Sequence, residues 1–345
     1  MSLTRILLLL LCAGLTGCGQ AGYFAQAAKG QWDIISARNK VEQLLDNPQL
    51  DSNLRQRLEL VREIREFASR ELHLPDNMSY RYYSETGRRY VVWNVVATPR
   101  YQLSPKTWCF PFSGCVAYKG YFAETDAADL NKKLIDQGYD TFLYGVSAYS
   151  TLGWFSDPVL DTFVNYKEGF LAKLIFHELA HQVVYVKDDS GFNEAFATAV
   201  GERGLHAWIK HRHPDQDINK LTQKNQRNAA ITDLILQYRD RLTKAYEQQS
   251  QSNLEQAKKE IFSEMKRTYA DIQKNGQGTP YYDWWFSLDL NNAHLSSIST
   301  YHRLVPGFKK ILEQAGSFET FYSLVKKRAK LPRAEREAWL LDISE

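Results

Sequence analysis

Past residue 12 the chain has no apolar run approaching the roughly 20 residues that a bilayer-crossing helix needs. No transmembrane helix is therefore expected there. Cysteine is scarce, four in 345 residues, and two of the four lie within the first 18. Excess charge of one sign is missing too. Lys and Arg number 43 against 40 Asp and Glu, a formal +3 that gives no basic surface of the kind that gathers nucleic acid. What remains reads as one sizeable unit with an ordinary core.

The first residues stand apart. Met1 to Gly17 carries one charge, Arg5, then the apolar run Ile6 to Cys12, then small residues. That is the make-up of a secretory signal, too short to act as a stable anchor. Its end, Leu15-Thr16-Gly17-Cys18, resembles the bacterial lipobox, which implies removal of residues 1–17 and attachment of lipid to Cys18. Gly19 stands where an aspartate commonly retains lipoproteins in the inner membrane. The resemblance therefore implies a cell-envelope protein on the outer membrane, facing the periplasm. An ordinary secretory signal beside a coincidental cysteine is the alternative. Cleavage removes Arg5 and no acidic residue, so the formal charge drops from +3 to +2.

The densest chemistry lies in Phe176-His177-Glu178-Leu179-Ala180-His181-Gln182, within a run that reads as helix from about Leu171 to Val186. Residues four apart on a helix lie about one turn above each other, so the imidazoles of His177 and His181 can meet at one metal ion. Glu178 is rotated from that line by about 100°. Its carboxylate is placed to take a proton from water as general base rather than to bind the metal. The opposing reading makes the histidines polar residues on the wet edge of a core helix. Against it, Phe176, Leu179, Ala180 and Val183 bury most of that helix, where unpaired imidazoles are costly.

A catalytic zinc ion takes a third protein ligand and keeps one position open. After a break at Asp188-Asp189-Ser190-Gly191 comes a second apolar run, Phe192 to Val200, with Glu194 in its first turn. A short connection makes the two helices antiparallel neighbours, and Glu194 then faces back toward His177 and His181. The pattern resembles the gluzincin metallopeptidases, in which an Asn-Glu-x-x-Ala type segment supplies the third ligand. Here 12 residues separate His181 from Glu194, a tighter spacing than thermolysin or the large aminopeptidases show.

Around this centre the pattern is helical at both ends. Residues 24–74 read as an N-terminal helical hairpin turning at Asp46-Asn47-Pro48, with Leu54, Leu58, Val61, Ile64 and Phe67 at helical spacing and Pro75 closing it. Tyr80 to Tyr83 and Tyr90 to Ala97 read as a β-hairpin around Glu85-Thr86-Gly87. Cys109 and Cys115, close in sequence in an exported chain, read as a disulfide. Such a bridge stabilises by about 2 kcal/mol in the chain-entropy view. Val116 to Phe122 is extended, and Asp126 to Gln137 a helix closed by Gly138. Thr141 to Leu152 reads as a sheet-edge strand that pairs with extended substrate, an ordinary central strand being the alternative. The C-terminal part, about 205–345, is helical, including a charged hairpin from Ile231 to Gln273 and two helices broken at Gly316 and Pro332. His206, His211 and His213 match no common metal-binding spacing.

Trp108-Cys109-Phe110-Pro111 with Gly114-Cys115, Ala148 to Phe155 with Asp157-Pro158, and the His-Glu-Leu-Ala-His-Gln and Phe-Asn-Glu-x-Phe-Ala runs are together similar to bacterial lipoproteins labelled predicted aminopeptidases. Val92-Trp93-Asn94-Val95 and Asn291-Asn292-Ala293 extend the likeness over nearly all of 18–345. The resemblance implies a zincin-like α+β peptidase domain, with a small, mostly antiparallel sheet against the active-site helix and long flanking helices. It also implies one Zn2+ ion held by His177, His181 and Glu194, and a peptide substrate. One departure bears on the label. The large gluzincin aminopeptidases hold the substrate amine with a glutamate on the strand before the metal helix, and Val146 to Gly153 has no acidic residue. Glu202 and Asp157 are the substitutes to examine. For the oxyanion formed during hydrolysis, Tyr301 is the first candidate donor and His294 the second; packing of Tyr301 on Leu304 and Phe308 is the competing reading. Two other functions stay open: a scaffold lipoprotein with a structural zinc site, and an amidase acting on peptidoglycan stem peptides.

Overall fold

The structure is a computed structural model that describes residues 21–110 and 114–344. The signal segment 1–17 and Cys18 lie outside them. A first helix, α1, covers residues 21–36 and leads into β1 (Arg38–Lys40), α2 (Val41–Leu45) and α3 (Ser52–Arg70). The expected N-terminal helical hairpin is thus interrupted by a strand. β1 pairs antiparallel with β2 (Tyr82–Ser84).

Six further strands and α4 follow: β3 (Val92–Pro99), β4 (Trp108–Phe110), β5 (Gly114–Val116), β6 (Lys119–Tyr121), α4 (Glu124–Asp136), β7 (Tyr139–Val146) and β8 (Val159–Leu160). The hairpin expected around Glu85-Thr86-Gly87 does not form. β2 pairs with β1 and, in parallel, with β8, whereas β3 joins β6 and β7 in a separate antiparallel sheet of order β6-β3-β7. The 85–87 segment is held by the Asp161 carboxylate, which accepts from the Thr86 amide at 2.9 Å, the Thr86 hydroxyl at 2.7 Å and the Gly87 amide at 2.8 Å. Three donors on one carboxylate outweigh a local turn signal. β4 and β5 form a hairpin closed by the expected Cys109–Cys115 disulfide.

The remainder is helical: α5 (Asp161–Val164), α6 (Glu168–Ala180), α7 (Ser190–Arg212), α8 (Ile218–Gln248), α9 (Leu254–Lys274), α10 (Pro280–Ser287), α11 (Asn292–His302), α12 (Val305–Ala315), α13 (Phe318–Arg328) and α14 (Arg333–Ser344). The class is α+β with small sheets, as the sequence pattern indicated. The breaks near 250, at Gly316 and at Pro332 fall between helices.

Three apolar clusters hold these elements. The largest gathers α3, α6, α7, α12 and α13 through Leu58, Ile64, Phe176, Phe196, Phe308 and Phe321. A second joins α8 to α11, burying Ile235, Leu242, Met265, Trp285 and Leu295. The α8–α9 hairpin read as charged is therefore also a core element. The third lies between β3 and α4, around Val95, Ala97, Ala127 and Leu134. Contrary to expectation, the antiparallel sheet packs mainly on α4 and α11, while α6 packs on α7 and α3. Small residues explain that close helix pairing. A Cβ on Gly204 would sit 2.7 Å from Leu72 and 2.8 Å from Phe176, and one on Gly201 would sit 3.0 Å from the Lys173 carbonyl.

Candidate metal centre

α6 buries Leu171, Ala172, Ile175, Phe176, Leu179 and Ala180, leaving few directions in which a polar side chain can face. Its last regular residue is Ala180, shorter than the run to Val186 suggested, but His181 at the C-cap keeps helical angles and stays one turn above His177. Glu178 and His181 are both buried.

The α6–α7 connection is set by side chains. The Val186 amide donates to Asn193 Oδ1 at 2.7 Å, and Asn193 Nδ2 donates to the Val186 carbonyl at 2.8 Å. Asn193 thus staples the connection to the first turn of α7, the residue before Glu194. Asp189 caps α7 by accepting from the Phe192 amide at 3.2 Å. Its other oxygen accepts from Arg336 Nη2 at 2.6 Å and Nε at 3.2 Å, a buried ion pair that ties α14 to the same helix start. Asp188, in a left-handed conformation with φ 67°, accepts from the Cys115 amide at 2.6 Å. The disulfide hairpin is thereby docked on the connection.

These constraints bring His177, His181 and Glu194 together. Glu194 Oε2 lies 3.3 Å from His177 Nε2 and 3.7 Å from His181 Nε2, and one ligand atom from each residue lies within 4.8 Å of the others. The imidazole rings are nearly perpendicular, at 87°, with centroids 4.9 Å apart. Such a group could hold a metal ion. Two imidazole nitrogens and one carboxylate oxygen suit zinc, and among the described residues no lysine or arginine neutralises Glu194.

Charge around the group is strongly coupled. Burial works to raise the Glu194 carboxyl, but His181 and His177 more than offset it and hold it well below the usual carboxylate range. For Glu178 burial prevails over the two histidines, and Glu194 adds to it, so its carboxyl is raised. A raised carboxyl next to the ligand group suits a residue that must take up a proton and release it.

Four half-buried tyrosines, Tyr118, Tyr144, Tyr185 and Tyr301, feel the charge of Glu194. Burial raises all four, so they remain protonated hydrogen-bond donors. The Tyr144 hydroxyl on β7 is within hydrogen-bonding reach of Asn94, Ser297 and Tyr301, linking the sheet to α11 beside the centre. Tyr301 is therefore among the groups around Glu194. Tyr118, Tyr144 and Tyr185 were missed because the chain has 20 tyrosines and no spacing sets these apart.

Several other candidates are placed elsewhere. His294 is built into its own helix: its Nδ1 accepts from the Asn291 amide at 3.2 Å and its ring lies 4.2 Å from Phe142. Glu202 is held by Lys173 at 2.9 Å and Lys309 at 2.5 Å. Asp157 accepts from the Thr151 amide at 2.9 Å and hydroxyl at 2.7 Å, while burial pushes its carboxyl up to about 6. Neither carboxylate is left to hold a substrate amine. His211 packs on Phe67 and Trp208, and His213 pairs with Glu168, so the second histidine group does not assemble. Among the described residues β7 pairs with β3 alone in its sheet and is an edge strand, as expected, but it spans Tyr139–Val146 rather than Thr141 to Leu152. On its open side the Thr141 carbonyl accepts from Asn291 Nδ2 at 2.9 Å.

Comparison with known proteins adds one match. A family model described as "Putative aminopeptidase" aligns with residues 22–340. No curated protein and no solved structure matches the chain.

Proposed function

The chain belongs to the putative aminopeptidase family, and from that premise we propose that it is a zinc-dependent peptidase of the cell envelope, with the metal held by His177, His181 and Glu194. The observation that carries this reading is the meeting of those three side chains beside a buried glutamate with a raised carboxyl. Zinc bound there supplies Lewis-acid chemistry, polarising a carbonyl and acidifying water.

The protein's own groups do the rest. Glu178 accepts a proton from the attacking water at its carboxylate and delivers it to the leaving amine. Tyr301 donates its hydroxyl hydrogen to the carbonyl oxygen as negative charge develops, with Tyr144 fixing the phenol in place. The open edge of β7 pairs with the backbone of an extended peptide. Because Glu202 and Asp157 are already engaged, the proposal extends to peptide-bond hydrolysis and not to capture of a free α-amine. The lipobox-like end of the signal supports attachment through Cys18 to the outer membrane.

The test is a peptide-library digest by zinc-loaded protein beside Glu178→Gln. Turnover is expected to fall about 10²–10⁴-fold with metal content unchanged. Equal turnover in the variant overturns the assignment of Glu178. A coordination shell of four protein ligands by X-ray absorption would instead favour a structural site.

A further inference from the structure

α1 has two unlike faces. The inner one is fixed to the body. Gln26 Oε1 accepts from the Phe122 amide at 3.1 Å, Gln31 accepts from the Tyr149 hydroxyl, and the Ile34 carbonyl accepts from Ser84 at 3.1 Å. Gly30 meets Phe122 so closely that a Cβ there would lie 2.1 Å from the ring. The outer face is apolar and largely exposed, Phe24 alone touching the edge of Phe110. Phe24, Ala28 and Trp32 follow one another at four-residue spacing, with Ala21 and Ala25 beside them, and all five are exposed. Phe24 is 44% exposed and Trp32 67%. Lys29, at the border of that side, is paired with Asp33 one turn on, at 3.0 Å.

We propose that this face of α1 lies on the lipid surface to which the chain is attached. The inference rests on the envelope reading above. Residue 21, where the described helix begins, is three residues beyond Cys18 and nine beyond the apolar run Ile6 to Cys12. With lipid on Cys18 holding the chain, so short a tether keeps α1 at the bilayer. Tryptophan and phenylalanine on one side of a helix that carries few charges suit the headgroup boundary.

The placement reaches the metal centre. Phe110 of the disulfide hairpin stacks on Tyr23 of α1 with ring centroids 5.4 Å apart, and Cys115 of the same hairpin bonds Asp188 of the α6–α7 connection. Tyr149, bonded to Gln31, lies three residues beyond the end of β7. The lipid-facing helix and the substrate strand are therefore joined through short, packed contacts, and the peptides within reach are those close to the membrane.

The experiment uses the full lipid-bearing chain in phosphatidylethanolamine–phosphatidylglycerol vesicles. An environment-sensitive fluorophore is attached at Ala28→Cys and, as control, at Lys327→Cys on exposed α13 surface. Nitroxide-labelled lipid is expected to quench the probe at 28 several-fold more than at 327, and Trp32→Glu with Phe24→Glu to abolish the difference while metal content is kept. Equal quenching at both positions overturns the proposal, as does a probe at 28 shielded only at high protein density, which would mark a second copy as the occupant. Mass analysis of the N-terminal peptide reports lipidation separately. A chain without lipid on Cys18 that still shows quenching at 28 would sink the anchor and keep the face.

Discussion

Glu194 and Glu202 stand two turns apart on α7, each withdrawn from water, and they have opposite neighbours. Glu202 lies between two ammonium groups, Lys173 and Lys309. Burial works to raise its carboxyl, but the lysines prevail and bring it down to about 2. Glu194 lies against two imidazoles, and its charge is felt by four phenols. Lysine satisfies a buried carboxylate permanently at neutral pH, whereas an imidazole gives up its proton near pH 6.5 and then offers a lone pair of its own. Two glutamates of the same helix are thus suited to different tasks, one to hold helices together and one to share a cation.

Replacing each glutamate in turn should separate those tasks. On the proposed ligand set Glu194→Ala removes one of three ligands, and zinc affinity is then expected to fall by more than the roughly 10–100-fold that loss of a supporting residue costs. Metal content after dialysis against a weak chelator, with the fold followed by circular dichroism, reads this out. Full zinc occupancy would remove Glu194 from the ligand set. Asn193→Ala leaves the ligands in place but unfastens Val186, so an affinity loss of about 10–100-fold is expected. Titration against a competing chelator measures it, and an unchanged constant would mean that the connection holds its shape without the staple.

For Glu202→Gln the expectation reverses. Zinc content should stay at the wild-type level while stability falls by about 1–2 kcal/mol in urea. The cost is modest because the lysine side chains are 35% and 45% exposed and water can take them over. Loss of zinc in this variant would make the two glutamates parts of one site. The smallest effect is in pH. Glu202 titrates lower in the folded chain than its ordinary value of 4.5, so its contribution is complete above about 4.5 and is lost as pH falls toward about 2. Wild-type protein should therefore lose more stability across that acid range than Glu202→Gln, and parallel profiles would show that the ion pair adds nothing.

What could be read from the chain alone was short in range. Four-residue spacing put His177 and His181 on one face, and the cysteine pair and the turn signals at Gly138, Gly316 and Pro332 needed no distant partner. The α+β class that the resemblance implied agreed with extended runs between about residues 80 and 152 and helical periodicity on either side. The antiparallel return of α7 toward α6 was legible because so few residues join them. Its cause, Asn193 spanning the backbone of Val186, was not.

The misplacements that bear on the site involved a partner far along the chain. Glu202 was an open candidate until Lys309, more than 100 residues later, came to lie against it. His294 looked available until its own helix start and Phe142 took it. The segment around Thr86 had the composition of a turn, yet Asp161 across the fold decided its shape. Local sequence fixes which groups exist and which face of a helix they share. Whether a buried carboxylate meets a lysine, an imidazole or a phenol depends on packing between elements, and only the tertiary structure determines that.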